Sequence, residues 1–92
     1  MVEKVAIIYT DEATRFVRML CKHFAHKVEA EWSDDSGWVA FAMGRCDMQA
    51  TEAQLHVRCQ AENLADLDDV ADTIKSHFDR FAQKQELVLN WD

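Results

Sequence analysis

Apolar and polar residues follow two different spacings along this chain, and each spacing predicts one kind of element. Short apolar or alternating stretches, which leave one face of the backbone buried, predict strands. The predicted strands lie at 5–9, with 2–4 leading in, and at 28–32, 38–43, 46–50, 54–60 and 87–91. One strand therefore comes early, several are central, and one closes the chain.

Two longer segments carry apolar residues three and four positions apart, as one buried face of a helix requires. The first runs from about Asp11 to about His26, and Thr10 and Asp11 are suitable N-cap residues for it. Asn63 can cap the second, which has the clearest periodicity in the chain. Its apolar stripe consists of Leu64, Leu67, Ala71, Ile74, Phe78 and Phe81.

These elements predict an α+β fold in the order β-α-β-β-β-β-α-β. Both helices have a single apolar stripe, and the strands have one cleaner apolar face. We therefore expect a two-layer sandwich, with a mostly antiparallel sheet of five or six strands and both helices on one face. Gly44-Arg45 is either a two-residue hairpin turn or a bulge in one longer strand. The length of 92 residues predicts a single domain, 1–92.

Composition excludes several classes of function. The chain has 17 acidic and 10 basic residues, and its net charge of −7 disfavours binding to nucleic acid or to an anionic membrane. No apolar run approaches the roughly 18 residues of a membrane span, and the N-terminus does not resemble a signal peptide. Three cysteines without a Cys-x-x-Cys pair argue against a disulfide framework and indicate a cytoplasmic location. With two glycines, the chain has no glycine-rich phosphate loop.

Basic side chains line one exposed face of the first predicted helix. Arg15, Arg18, Lys22 and His26 recur at steps of three, four and four, while His23 lies between this face and the core. One interpretation is a solvated face that balances the acidic second helix. The other is a small anion site, for phosphate, a carboxylate or an acidic partner, with Arg15 and Lys22 as donors.

Histidines suggest a second kind of site. His23 and His26 are three positions apart, so both rings can lean toward one metal ion, and His77 on the flank of the second helix can face them. The alternative is that these histidines only bond helix-end carbonyls or a neighbouring carboxylate. Cys21 points about 160° away from His23 on a helical wheel, so a Cys-His dyad is disfavoured.

Tryptophan suggests a third kind of surface. If Trp38, Ala40 and Ala42 line the uncovered face of the sheet, that face is an apolar patch. Such a patch is suited to burial in a homodimer.

A set of residues spread over nearly the whole chain forms a recognisable signature. It comprises Thr10, Ala13, Arg15-Phe16, Leu20-Cys21, His23-Phe24, His26-Lys27, Gly44-x-Cys46, His77-x-x-Arg80-Phe81-Ala82 and Trp91. With these residues the chain resembles a small bacterial family called domain of unknown function 2218. The family usually continues after Ala82 with an aromatic residue and Arg-Glu, where this chain has Gln83-Lys84-Gln85.

The resemblance implies no activity, substrate or cofactor, because the family has none assigned. Its members are similar to modules found beside, or fused to, siderophore-interacting flavoprotein reductases. The resemblance therefore implies a supporting role in iron handling and a flavoprotein as one candidate partner. This is an association rather than a mechanism.

The residues and the resemblance together predict a non-enzymatic binding or interaction module, accessory to iron or siderophore metabolism. Its expected partner is an anionic small molecule or a flavoprotein, and its cofactor is unknown. The predicted ligand-binding residues are Arg15, Lys22, His23, His26, His77 and Arg80. The alternative is a metal site on His23, His26 and His77, catalytic or not. A third option is a structural motif that locks the helices together in a domain that works by dimerising.

Overall fold

The computed structural model describes all residues from 1 to 92, as five strands, two α-helices and one short 3-10 helix. The strands are β1 (Val2–Tyr9), β2 (Glu29–Trp32), β3 (Ser36–Phe41), β4 (Gly44–Ala50) and β5 (Gln54–Ala61). The helices are α1 (Ala13–Phe24), α2 (Leu64–Phe81) and the 3-10 helix η1 (Gln83–Gln85). The predicted α+β sandwich is thereby confirmed.

All five strands form one antiparallel sheet in the order β1-β5-β4-β3-β2. The chain enters at one edge with β1 and then uses α1 to reach β2 at the opposite edge. It returns strand by strand through β3 and β4 to β5, which pairs with β1. The second helix then packs back over β5, β4 and β1, so both helices cover the same face.

Strand alternation separates a buried face of the sheet from an open one. On the helix-covered face, Val39 pairs with Cys46 and Met48 pairs with Val57, and all four are buried. The core between sheet and helices contains 22 buried residues. At its centre the rings of two fully buried phenylalanines, one from each helix, are 5.0 Å apart.

Local signals explain where the helices begin and end. The Asn63 side chain accepts a hydrogen bond from the Asp66 amide at 2.9 Å and caps α2 as predicted. At α1 the cap position belongs to Glu12, whose side chain bonds no amide, and Thr10 Oγ1 accepts the Glu12 N–H instead. Compared with the expected range, α1 starts two residues later and ends two residues earlier. Neither helix is long and apolar enough to cross a membrane.

Gly44 is not a turn residue, although its type suggested one. The hairpin between β3 and β4 turns at Ala42 and Met43, and Gly44 already pairs with Phe41. A Cβ added to Gly44 would stand 2.4 Å from the Gln60 carbonyl oxygen. The glycine is therefore required by the close approach of β5, and the segment is a hairpin rather than a bulged strand.

The last segment, 87–91, was expected to be a strand but lies outside the sheet ladder. The reason is that α2 satisfies its backbone groups. Asp79 accepts the Leu89 amide at 2.9 Å, and Lys75 donates to the Leu89 carbonyl at 2.7 Å. A single backbone bond, from the Asp92 amide to the Val5 carbonyl at 2.8 Å, joins the segment to β1. The sheet consequently has five strands.

Candidate functional site

Two histidines from different helices meet near the C-terminal ends of both. His23 is the residue before the last in α1, and His77 lies four positions before the end of α2. Their ring centroids are 4.9 Å apart, and the ring planes are inclined by 45°. We call this pair, together with Phe24 and Phe81, the histidine cluster.

Aromatic packing holds the histidine cluster in place. Phe24 is buried, and its ring centroid lies 4.7 Å from that of His77 and 5.3 Å from that of Phe41. The His23 ring makes edge contacts with Phe24 at 5.4 Å and with Phe81 at 5.5 Å. His77 and Phe81 are four positions apart, so they share one face of α2. The cluster thus rests on the core below and reaches solvent through His23, which is exposed.

The proton on His77 is assigned by its hydrogen bond. His77 Nδ1 lies 2.7 Å from the carbonyl oxygen of Thr73, one turn earlier in α2. Because a carbonyl only accepts, Nδ1 carries the proton. In the neutral ring, Nε2 then keeps its lone pair for another partner.

The electrostatics around His23 are positive. Packing of its ring lowers the pKa of His23 below the ordinary value of 6.5, and repulsion from His77, Arg80, His26 and Lys27 lowers it further. None of these influences comes from a carboxylate. We call His26, Lys27 and Arg80 the cationic rim of the cluster.

A comparison of all ten lysines and arginines shows what is unusual about this region. Five of them have a carboxylate partner within 4.0 Å: Lys4, Arg15, Arg45, Arg58 and Lys75. The other five have none: Arg18, Lys22, Lys27, Arg80 and Lys84. All five unpaired cations lie on the two α-helices, in the turn after α1 or in η1. Most basic side chains of the helix layer therefore have no carboxylate partner, with Arg15 and Lys75 as the exceptions.

The sequence-predicted site residues do not all come together. His23, His77 and Arg80 meet at the cluster, His26 follows the end of α1, and Lys22 is exposed on that helix. Arg15 sits eight positions before His23, about 12 Å away along the helix axis.

Arg15 is also already engaged. Its guanidinium bonds the Glu12 carboxylate at 3.0 Å within the first turn of α1. Its predicted role as a donor at the same site is therefore not supported by the geometry.

The three histidines do not form a preassembled metal centre. No group of three or more histidine, cysteine or acidic side chains is arranged to hold one ion. His23 and His77 are adjacent, whereas His26 projects from the turn after α1. A metal at this site would have two protein ligands.

The cysteines are free thiols buried in the core, away from the histidine cluster. Burial raises the pKa of Cys21 to about 11. A hydrogen bond with Cys59, its cross-strand partner, raises the pKa of Cys46 well above the ordinary range, and burial adds to this effect. Inaccessible thiols are poor nucleophiles, so these buried cysteines are packing groups.

The open face of the sheet carries a second candidate region. Sequence reasoning expected an apolar patch around Trp38 on this face, and not a polar recess. A shallow recess of about 580 Å³ lies over the middle strands. Its polar lining and single indole come from Glu3, Trp38, Asp47, Gln49, His56 and Arg58. The only available signal in the sequence was that these residues occupy outward positions, which alternate with inward positions along each strand. We call this region the open-face recess.

Charges at the open-face recess are paired. Arg45 bonds the Asp47 carboxylate at 2.9 Å, and its guanidinium carbon lies 4.7 Å from the centroid of the Trp38 ring. Arg58 stands 4.0 Å from a carboxylate oxygen of Glu3. The half-buried Trp38 therefore lies among charged groups rather than in a continuous apolar patch. The homodimer expected from this face stays a prediction.

The chain matches a known bacterial family. A family model described as "uncharacterized protein conserved in bacteria" matches residues 5–92, nearly the whole chain. The chain belongs to the domain of unknown function 2218 family. Parts of the family signature that are distant in sequence, His23-Phe24 and His77 with Phe81, meet in space at the histidine cluster.

The fold is shared with a solved structure. The chain is similar to the NMR structure of PA4090 from Pseudomonas aeruginosa, with 25% sequence identity and a TM-score of 0.82. The similarity covers 100% of this chain and 96% of that chain. No curated protein matches the chain.

Proposed function

We propose that this member of the domain of unknown function 2218 family is a non-enzymatic binding module. Its ligand is a small anionic molecule that carries phosphate or carboxylate groups. The ligand binds beside His23, between the C-terminal ends of α1 and α2. The cationic rim supplies the charge, and the His23 ring supplies a further donor when it is protonated.

The observation that carries this proposal is the absence of carboxylate partners around the cationic rim. Lys27 and Arg80 have no acid within 4.0 Å, although the chain has 17 acidic residues and pairs half of its lysines and arginines. An Arg guanidinium and a Lys ammonium bind phosphate and carboxylate oxygens by charge-assisted hydrogen bonds. The same positive potential that lowers the pKa of His23 attracts an anion.

The size of the rim favours a small ligand over a polymer. Three side chains, His26, Lys27 and Arg80, surround one exposed ring, while the chain as a whole has a net charge of −7. A nucleic acid is longer than this patch, and the net negative charge of the chain as a whole disfavours binding of its remaining phosphates. A compact anion stays within the patch.

Binding rather than catalysis is supported by the chemistry of the neighbouring groups. The thiols are buried, with pKa values raised for Cys21 and Cys46, so no activated cysteine is available. His77 donates Nδ1–H to a backbone carbonyl and not to a carboxylate, so it lacks the orienting acid of a catalytic triad.

An accessory role in iron or siderophore metabolism is one setting for such a site, and it is proposed here on the family resemblance. Ferric siderophores and phosphate-bearing flavin cofactors are anionic, which is the ligand class that the rim favours. Free thiols at all three cysteines also fit the proposed cytoplasmic location.

The proposal is tested by titrating isotope-labelled protein with inorganic pyrophosphate or citrate at low ionic strength, followed by NMR. We expect the signals of His23, Lys27 and Arg80 to move with one common affinity. We also expect the pKa of His23 to rise on saturation, because a bound anion stabilises the imidazolium. A ferric siderophore added in place of pyrophosphate tests the proposed setting.

Two double variants with the same charge change provide the control. Lys27→Gln/Arg80→Gln should weaken pyrophosphate binding tenfold or more, since a hydrogen bond to a charged group contributes roughly 1.5–3 kcal/mol. Arg45→Gln/Arg58→Gln changes the open face instead and should leave the affinity within about twofold. Equal weakening by both variants would show that net charge alone attracts the anion, and would overturn the proposed site.

A further inference from the structure

The separation of the two imidazoles in the histidine cluster matches that of two ligands on one metal ion. A zinc–nitrogen bond of about 2.1 Å places the ion roughly 3.2 Å from each ring centroid. Bond angles between about 90° and 109° at the ion then separate the two centroids by about 4.5–5.2 Å. The observed separation between His23 and His77 is 4.9 Å.

Ring orientation is compatible with the same arrangement. A metal ion lies in the plane of each imidazole that binds it, so the two planes must intersect at the ion. The planes of His23 and His77 are inclined by 45°, so the two rings are not stacked in parallel. The aromatic surroundings would also allow the two rings to stack in parallel. The planes of parallel rings do not intersect, so such rings could not bind one ion that lies in both planes.

The hydrogen bond of His77 prepares one nitrogen for coordination. Nδ1–H is donated to the Thr73 carbonyl at 2.7 Å, so Nε2 is the nitrogen with a free lone pair. Histidines that bind metals commonly donate their other N–H to a carbonyl or carboxylate, which fixes the tautomer and the ring orientation. His23 is exposed and leaves the pair accessible from solvent.

We infer that His23 and His77 form a two-histidine site for a divalent transition metal, either Zn²⁺ or Cu²⁺. Imidazole suits both ions. No third protein ligand is in place, so water or an exogenous anion fills the remaining positions, and the affinity is modest. The inference rests on the same cluster as the proposed anion site, but it needs no anion.

Neighbouring cations modify this affinity in a testable direction. Arg80 and Lys27 repel a bare dication and attract the anion that completes its coordination. Metal and anion should therefore strengthen each other's binding by the same factor, because coupling between two ligands is reciprocal. The metal is titrated first without an added anion. A failure of the metal site can then be distinguished from a failure of the proposed anion site.

The test is an NMR titration with ZnCl₂ alone, followed by an electron paramagnetic resonance spectrum with one equivalent of Cu²⁺. We expect saturable shifts of the His23 and His77 ring signals, and copper couplings from two nitrogens. His23→Gln, at an exposed position, should weaken zinc binding at least tenfold while the fold persists.

A further variant makes the test specific. His56→Gln on the open face should leave zinc binding unchanged. Absence of zinc-dependent shifts up to about 1 mM would overturn the inference. So would zinc affinity that survives His23→Gln, or that falls equally with His56→Gln. Pyrophosphate binding in the presence of a chelator reports on the proposed function independently.

Discussion

The histidine cluster and the open-face recess lie on opposite layers of the same small domain. They differ in whether their basic side chains have carboxylate partners. At the recess, Arg45 and Arg58 each stand beside a carboxylate, supplied by Asp47 and Glu3. At the cluster, Lys27 and Arg80 have no such partner and add their charge to that of nearby histidines. Both regions contain arginine, histidine and an aromatic ring, so composition alone does not distinguish them.

The difference lies in how each layer brings residues together. In the sheet, outward side chains stand close together: Asp47 pairs with Arg45 two positions earlier on β4, and Glu3 of β1 lies near Arg58 of β5. At the cluster, four of the groups that influence His23 are basic or histidine side chains, and nothing offsets them. Like charges gathered in this way contribute nothing to stability, so their arrangement favours a role in binding.

The largest expected effect comes from removing the base of the histidine cluster. Phe24→Ala deletes a buried ring that contacts both His77 and Phe41, and it should lower the free energy of unfolding by about 3–5 kcal/mol. Trp38→Ala, the matched aromatic deletion at the open-face recess, should cost only about 1–2 kcal/mol. Urea denaturation followed by circular dichroism measures both.

This pair of variants compares how deeply the two regions are anchored. Trp38 is half-buried, and its ring is partly covered by the Arg45 guanidinium. After Trp38→Ala, water can therefore fill most of the space that the indole ring occupied. Phe24 leaves a cavity that the surrounding rings cannot fill. If Trp38→Ala destabilised the chain as much as Phe24→Ala, the recess and not the cluster would be the more deeply anchored region.

Much of the fold follows from local patterns in the sequence. The second helix was predicted from six apolar residues that keep one period and from Asn63, which caps it, although Leu64 at its start is exposed. The five strands of the sheet were predicted to within two residues, because short apolar or alternating stretches mark them. Even the meeting of His23 with His77 was expected, since both lie on the flank of an apolar stripe.

The predictions that were wrong concern features that depend on contacts between residues distant in sequence. Gly44 looks like a turn residue, but its role is to let the Gln60 carbonyl approach. The segment 87–91 has strand composition, but α2 side chains bind its backbone at Leu89. The pairing of Arg58 with Glu3 could not be predicted either, because it requires the register between β1 and β5.

A smaller effect is expected from removing the acids at the open-face recess. Glu3→Gln/Asp47→Gln releases Arg58 and Arg45 from their partners, and the free energy of unfolding should change by less than about 1 kcal/mol. The variant should nevertheless gain a second, weak pyrophosphate site, seen as a shift of the Trp38 indole signal. In the unmodified chain we expect that signal to stay still while His23 moves.

The control for this variant removes two acids from the same face without releasing a cation. Glu29 and Glu31 lie on β2, point away from the helices and have no basic partner within 4.0 Å. Glu29→Gln/Glu31→Gln therefore changes net charge equally and should not move the Trp38 signal on titration. A shift of equal size in both variants would mean that net charge, and not release of arginines, governs anion binding.

The smallest expected effect is a change in the pKa of His23 itself. Arg80→Gln removes one of the charges that repel its imidazolium, so the pKa should rise toward 6.5. Arg58→Gln, at the open-face recess, should leave that pKa unchanged. Titration of the ring signals by NMR measures all four histidines at once, and His56 serves as the internal reference.

The same shift has a consequence for stability, and its sign follows from proton linkage. The folded chain holds the pKa of His23 below 6.5, so between that pKa and 6.5 the unfolded chain binds more protons. Acidification through this window therefore lowers the free energy of unfolding, and Arg80→Gln should reduce that loss. If Arg80→Gln instead left unchanged both the pKa of His23 and the loss of stability on acidification, that result would show that Arg80 does not act on the His23 ring. It would contradict the assignment of Arg80 to the cationic rim.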